Sequence, residues 1–196
     1  VTTIGVVALQ GAVSEHVAML TGLGATVRQI RTPDGLDGLD GLVLPGGEST
    51  AMARAAAKVG LFEQVRERRE SGLPIFGTCA GLILLAERVE DGEALAGFAT
   101  VGGLDITARR NAFGGQLASF RAGLDVQGVE GPAFPAVFIR APQVVAVEAS
   151  VQVLARTSAD GPIVAVRQGG LLATSFHPEL TADDRLHRLF LSICRG

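Results

Sequence analysis

Tryptophan and tyrosine are absent from this 196-residue chain, cysteine occurs only twice, and the formal net charge is only −3. Each shortage removes a class of function. Without Trp or Tyr, aromatic stacking on bases or sugars is not the main activity. Without an excess of basic residues, the positive footprint of a nucleic-acid binder is missing. Cys79 and Cys194 stand far apart in the sequence, so a disulfide framework is not expected and a reducing cytoplasm fits. No apolar run approaches the ~20 residues that span a bilayer. The opening "VTTIGVVALQGAV" has no basic n-region and breaks at Gln10-Gly11, so it reads as a first strand and not as a leader. The expectation is a soluble protein that binds neither nucleic acid nor membrane.

What the chain does have is apolar side chains, 47% of the total, and 26 glycines. Its length suits one domain over 1–196 with a full core. "TIGVVAL" is a near-continuous apolar strand, as in a parallel sheet covered on both faces. "AVSEHVAMLTGLG" has helical spacing and ends in glycine. "TVRQI" and "GLVLP" read as the next strands. A helical stretch over 49–71 follows, interrupted near Gly60, and "LPIFG" is another strand. Strands alternating with helices indicate an α/β fold. After about Asp91 the pattern shifts to short strands, "VGGLDITARR", "QLASFRAGLD", "AVFIRAP" and "PIVAVRQGG", expected to extend the same sheet in mixed, partly antiparallel fashion. "GLLATSFHPEL" is a strand ending in a loop. "TADDRLHRLFLSICR" is a closing helix capped by Thr181 with acids in its first turn.

The most informative segment is "FGTCAGLILLA". Cys79 lies between Gly77 and Gly81, after an apolar strand and before an apolar helix. This small-x-nucleophile-x-small pattern is that of a nucleophile elbow. The glycines let strand and helix pass closely. The helix N-terminus favours a thiolate, and the Ala80 N–H falls where an oxyanion would form. Taken alone, Cys79 is equally a buried structural cysteine, because free cysteine is among the most buried residue types. Cys194 has no small-residue frame and reads as packing in the last helix.

A nucleophilic cysteine needs a base and an orienting group. His16 and His187 sit in helical patterns and read as surface or packing residues. His177 lies in "SFHPEL" just past a strand, two residues before Glu179, so in an extended segment both side chains point the same way. Glu179 then holds the imidazole tautomer, the task of a third triad member. "LPGGEST" ends the third strand and opens a helix. Its glycines permit close approach to a ligand and a second oxyanion donor, and the Gly46–Gly47 peptide is a place where a partner could switch that donor. It lacks the Gly-Lys-Ser/Thr ending of a phosphate loop. No cluster of His, Cys and acids stands at metal spacing.

In this order the segments resemble the class I (triad) glutamine amidotransferases. Within that class the match is to the glutaminase subunits of pyridoxal 5′-phosphate synthase, through "GVVALQGAVSEH", "LPGGEST", "FGTCAGLILLA", "RRNAFGGQ", "VFIRAP" and "SFHPELT". Many relatives in other pathways carry Gln four residues after the cysteine, where Ile83 stands here. The resemblance implies a three-layer, flavodoxin-like sandwich with a central mixed, largely parallel sheet flanked by helices. It implies Cys79 as nucleophile, His177 as base and Glu179 as its orienter. Gly47, Glu48 and Ser49 would contact glutamine, with Gly47 and Ala80 supplying oxyanion donors. Arg110, Ile139 and Arg140 would line the substrate site, an arginine fork suiting the α-carboxylate. It implies hydrolysis of L-glutamine without metal or cofactor, and ammonia passed to a PdxS-type synthase subunit, docked at the "QGAVSEH" helix start. Gly115 departs from the pattern, where a larger and often basic residue is expected. Two other readings stay open at this point: a hydrolase or glyoxalase of another elbow-cysteine family, and a non-catalytic subunit that only regulates a synthase.

Overall fold

The computed structural model describes residues 1–110 and 119–196. Gly115 lies outside the described residues. The first half alternates as its sequence pattern requires: β1 (Thr3–Val7), α1 (Val13–Gly22), β2 (Thr26–Ile30), β3 (Gly41–Leu44), α2 (Ser49–Ala57), α3 (Leu61–Glu70) and β4 (Ile75–Thr78). Gly60 separates α2 from α3, as the interruption in the helical pattern indicated. The second half holds α4 (Ala80–Leu85), β5 (Ala86–Val89), β6 (Leu104–Arg109), β7 (Ser119–Leu124), β8 (Phe134–Ile139), β9 (Gln143–Val147), β10 (Gln152–Arg156), β11 (Ile163–Gln168), β12 (Leu171–Thr174) and α5 (Arg185–Cys194).

The main sheet runs β2-β1-β3-β4-β12-β11-β9-β6-β5, with β10 paired to β11. From β2 to β12 every pairing is parallel. Every residue of β3 and β4 is buried, which explains their unbroken apolar runs. Alternate residues serve opposite faces. Leu42, Leu44 and Ile75 pack with α2, α3 and α4, through Met52, Phe62, Val65 and Leu82. Val43 and Phe76 pack on the other face with α1 and α5, through Leu20, Leu186 and Phe190. Two helical layers around a central sheet are thus a direct consequence of strands that are apolar on both sides.

Two expectations fail locally, and one strand was not foreseen. The segments "QLASFRAGLD" and "AVFIRAP" do not extend the main sheet: among the described residues β7 and β8 pair with each other, as a two-stranded antiparallel sheet. Phe134 and Phe138 pack into the α1–α5 face, which a two-stranded ribbon can cover from outside. The helix after Cys79 is shorter than its apolar run, and Ala86 already begins β5. β5 is the last strand in the sheet order and exposes Glu87 and Arg88, so no apolar run marks it in the sequence. Thr181 does not cap α5, which starts at Arg185 with Asp184 before it. Instead, the Thr181 hydroxyl donates to the Pro178 carbonyl and accepts the Asp183 N–H, closing the turn ahead of the helix.

Candidate active site

Cys79 stands between β4 and α4 with φ 51° and ψ −103°, a positive φ rare for a side-chain-bearing residue. The flanking glycines explain how the corner closes. A Cβ at Gly77 would lie 2.6 Å from the Gly81 backbone, and one at Gly81 would overlap the Leu44 carbonyl of β3. The corner is therefore tolerated only because both positions are bare.

β12 lies parallel beside β4, pairing Thr174 with Thr78, and the Cys79 N–H donates to the Thr174 carbonyl at 2.8 Å. The loop after β12 therefore leaves the sheet edge next to the cysteine. There the His177 N–H donates to the Val137 carbonyl of β8, also at 2.8 Å. His177 Nδ1 is 2.7 Å from Glu179 Oε1, and both residues are buried. Pro178–Leu180 form a 3₁₀ turn, not an extended segment, so the turn brings the acid beneath the ring by a route other than strand alternation. A carboxylate only accepts, so Nδ1 carries the proton and Nε2 is left for Cys79. Burial opposes the charged imidazole, but hydrogen bonds to Cys79 and Glu179 and the charges of both outweigh it, raising the His177 pKa to about 10.

A cavity of about 360 Å³ opens over these groups, lined among others by Gln10, Gly47, Ser49, Ile83, Arg110 and Arg140. Of the residues expected at the substrate, Cys79, Ala80, His177, Gly47, Glu48, Ser49, Arg110, Ile139 and Arg140 all border it. Glu179 stands behind His177. Within the group the positions differ. Glu48 caps α2, its carboxylate accepting the Thr50 and Ala51 N–H groups at 2.9 and 2.8 Å. Slight burial opposes its charge, yet these bonds and the Arg110 charge hold its pKa below the usual carboxylate range. Arg110 reaches that same carboxylate at 3.3 Å, so part of its fork is already engaged. Arg140 projects from a second strained corner at φ 42°. The Ile139 carbonyl lies 3.9 Å from Cys79 Sγ, while the Ile139 side chain is exposed.

Two features escaped the sequence reading. Gln10 Oε1 accepts the Glu48 N–H at 2.6 Å, and the Gly46 carbonyl accepts the Ala12 N–H at 3.0 Å, so the entry to α1 braces the glycine loop. Turning the Gly46–Gly47 peptide over would break the second bond. His16 and His187 are not surface residues; both are fully buried behind Glu179. The helical spacing put each on an inward face, but only the crossing of α1 with α5 makes them neighbours.

The family profile described as the SNO glutamine amidotransferase family matches residues 6–195. A pyridoxal 5′-phosphate synthase subunit PdxT from Nocardioides sp. is 58% identical over 194 residues, covering 97% of this chain and 95% of its own length. The protein of the same name from Streptomyces coelicolor is 53% identical over 193 residues, covering 98% and 94%. A crystal structure of a glutamine amidotransferase, 45% identical, superposes with a TM-score of 0.90 over 98% of this chain and 99% of the other. With the family profile matching residues 6–195 and relatives more than half identical over nearly the whole chain, the chain belongs to the SNO glutamine amidotransferase family.

Proposed function

We propose that this chain is the glutaminase subunit of a pyridoxal 5′-phosphate synthase, hydrolysing L-glutamine to L-glutamate and ammonia with Cys79, His177 and Glu179 as its triad. The observation that carries the residue assignment is the meeting, in one cavity, of a strained corner cysteine with an imidazole already oriented by a buried carboxylate. The synthase assignment rests on the relatives that bear that name over nearly their full length.

Cys79 Sγ attacks the side-chain amide carbon of glutamine. The amide oxygen becomes an oxyanion, held by the N–H groups of Ala80 and Gly47. The imidazolium of His177 gives its proton to the nitrogen as the C–N bond breaks, releasing ammonia and leaving a thioester. Water attacks next, and His177 takes its proton. The C–S bond breaks to give glutamate and the free cysteine. Glu179 keeps Nδ1 protonated throughout, so Nε2 performs both transfers. Arg140, at the rim, takes the α-carboxylate, while Arg110 reaches substrate in common with Glu48. Ammonia leaves toward a synthase subunit docked near Gln10–Ala12, the segment that braces the oxyanion loop.

Release of glutamate and ammonia, measured with the chain bound to its synthase, tests the reading. Cys79→Ala is expected to abolish glutamine hydrolysis while the complex still uses ammonium salts. Cys194→Ala is expected to change nothing, since burial, and then the Asp40 charge, push its thiol up to about 12. Near-normal hydrolysis by Cys79→Ala would overturn the mechanism.

A further inference from the structure

On the side of Glu179 away from His177 lies a cluster that the reaction described above does not use. His16, in the first turns of α1, meets His187, on α5, at 2.9 Å between His16 Nδ1 and His187 Nε2. The two residues come from opposite ends of the chain, and both are fully buried. His16 Nε2 then lies 3.1 Å from the Thr78 hydroxyl and 3.5 Å from Glu179 Oε2. Glu179 Oε1 is occupied by His177. Glu179 Oε2 has no hydrogen-bond partner of its own among the described residues, and neither does His187 Nδ1.

The donors and acceptors allow two arrangements, and the carboxylate beside His16 Nε2 favours one of them. A carboxylate oxygen cannot donate, and its negative charge 3.5 Å away favours an N–H at His16 Nε2 over a lone pair that takes the Thr78 hydroxyl proton. That places the proton of neutral His16 on Nε2, bonded to Thr78 Oγ1 and facing the charge of Glu179 Oε2 at 3.5 Å. His16 Nδ1 is then an acceptor, and His187 must donate to it from Nε2. His187 Nδ1 is left as a bare lone pair, the less costly of the two ways to leave a buried ring nitrogen unpartnered. Thr78 immediately precedes Cys79, so His16 touches both the strand end that carries the nucleophile and the acid that orients the base.

We propose that His16 is a positioning residue for glutamine hydrolysis: its Nε2–H holds the rear oxygen of Glu179, fixing the carboxylate that in turn fixes His177, with His187 setting its tautomer. The inference rests on the glutaminase reading. Helix α1 then serves both halves of the site, its entry bracing the oxyanion loop through Gln10 and Ala12 and its body clamping the triad acid.

The test uses the chain bound to its synthase, with kcat and KM for glutamine measured on folded protein. If the wild type did not hydrolyse glutamine, the underlying reading would fail. If it does, the variants judge the positioning role alone. His16→Leu is expected to lower kcat at least tenfold with KM changed less than twofold. His16→Gln, whose amide N–H takes the place of Nε2–H, is expected to recover most of that loss. His16→Leu combined with Glu179→Gln is expected to be no slower than Glu179→Gln alone, because His16 acts only through that carboxylate. If His16→Leu does not fold, His16→Asn, polar but too short to reach the acid, carries the same expectation. Folded His16→Leu with normal kcat would overturn the proposal, as would a double variant whose losses multiply. Failure of His16→Gln to recover activity would do the same.

Discussion

Glu179 has imidazoles on both sides, and the two sides behave oppositely. In front, His177 is drawn up to about 10. Behind, burial first and nearby imidazoles second hold His16 well below its ordinary value, and burial takes His187 down to about 4. Desolvation acts on all three. What differs is the company: His177 meets the carboxylate and Cys79 directly, whereas His16 meets another ring and faces the His177 charge across the acid. One buried carboxylate supports one imidazolium, and the second imidazole beside it stays neutral and works as a fixed donor. An imidazole held charged and an imidazole held neutral are thus made from the same residue type by placement alone.

The largest expected effect comes from removing what the two sides share. Glu179→Gln keeps the shape but offers His177 an amide in place of a carboxylate. By analogy with other triads, kcat for glutamine should fall by about 10²–10⁴. A loss below threefold would mean that the front imidazole does not depend on the acid. At the rim, Arg140→Ala removes the proposed partner of the substrate carboxylate. The loss of such a contact is worth about 2–5 kcal/mol, so apparent glutamine affinity should weaken at least tenfold with the triad intact. An unchanged dependence on glutamine concentration would remove Arg140 from the substrate site.

The smallest effect is on stability, and its sign separates front from back. His177 is raised above its unfolded value, so its contribution is fully present below about pH 6.5 and is lost as pH rises through about 10. His187 is depressed, so its neutral form costs nothing above about pH 6.5 and destabilises the fold as pH falls toward about 4. At about 1.4 kcal/mol per pKa unit the second effect is about 3 kcal/mol. Urea unfolding at pH 6.5 and 4.5 should therefore show a clear loss for the wild type and a smaller loss for His187→Leu. Equal losses would mean that the rear histidines are not buried neutral.

The parallel half of the fold and the strained corner at Cys79 were legible because each is a local pattern. β1, β3 and β4 are continuous apolar runs, and the elbow needs small residues two places either side of Cys79. The antiparallel half was less legible. The segments of β7 and β8 read as strands, but strand character does not say which sheet a strand joins, and β5, with Glu87 and Arg88 exposed, carries no apolar run to mark it. His177 and Glu179 were found as a pair although the turn joining them was not the extended segment expected. Gln10 and the rear histidines were missed because their partners lie 38 and 171 residues away.

By itself the sequence determined which residues can do chemistry here: one cysteine at a corner only glycines can close, one histidine with an acid two positions on, and strands apolar on both faces. Tertiary structure decided which of these meet. The placement of β12 beside β4 set His177 against Cys79, and the packing of α1 on the turn after β12 set His16 against Glu179. The physical reason is range. Backbone sterics and apolar periodicity act over a few residues and are written in neighbouring letters. Desolvation, charge and hydrogen-bond partnership depend on distances in space, which strand order and helix packing alone establish.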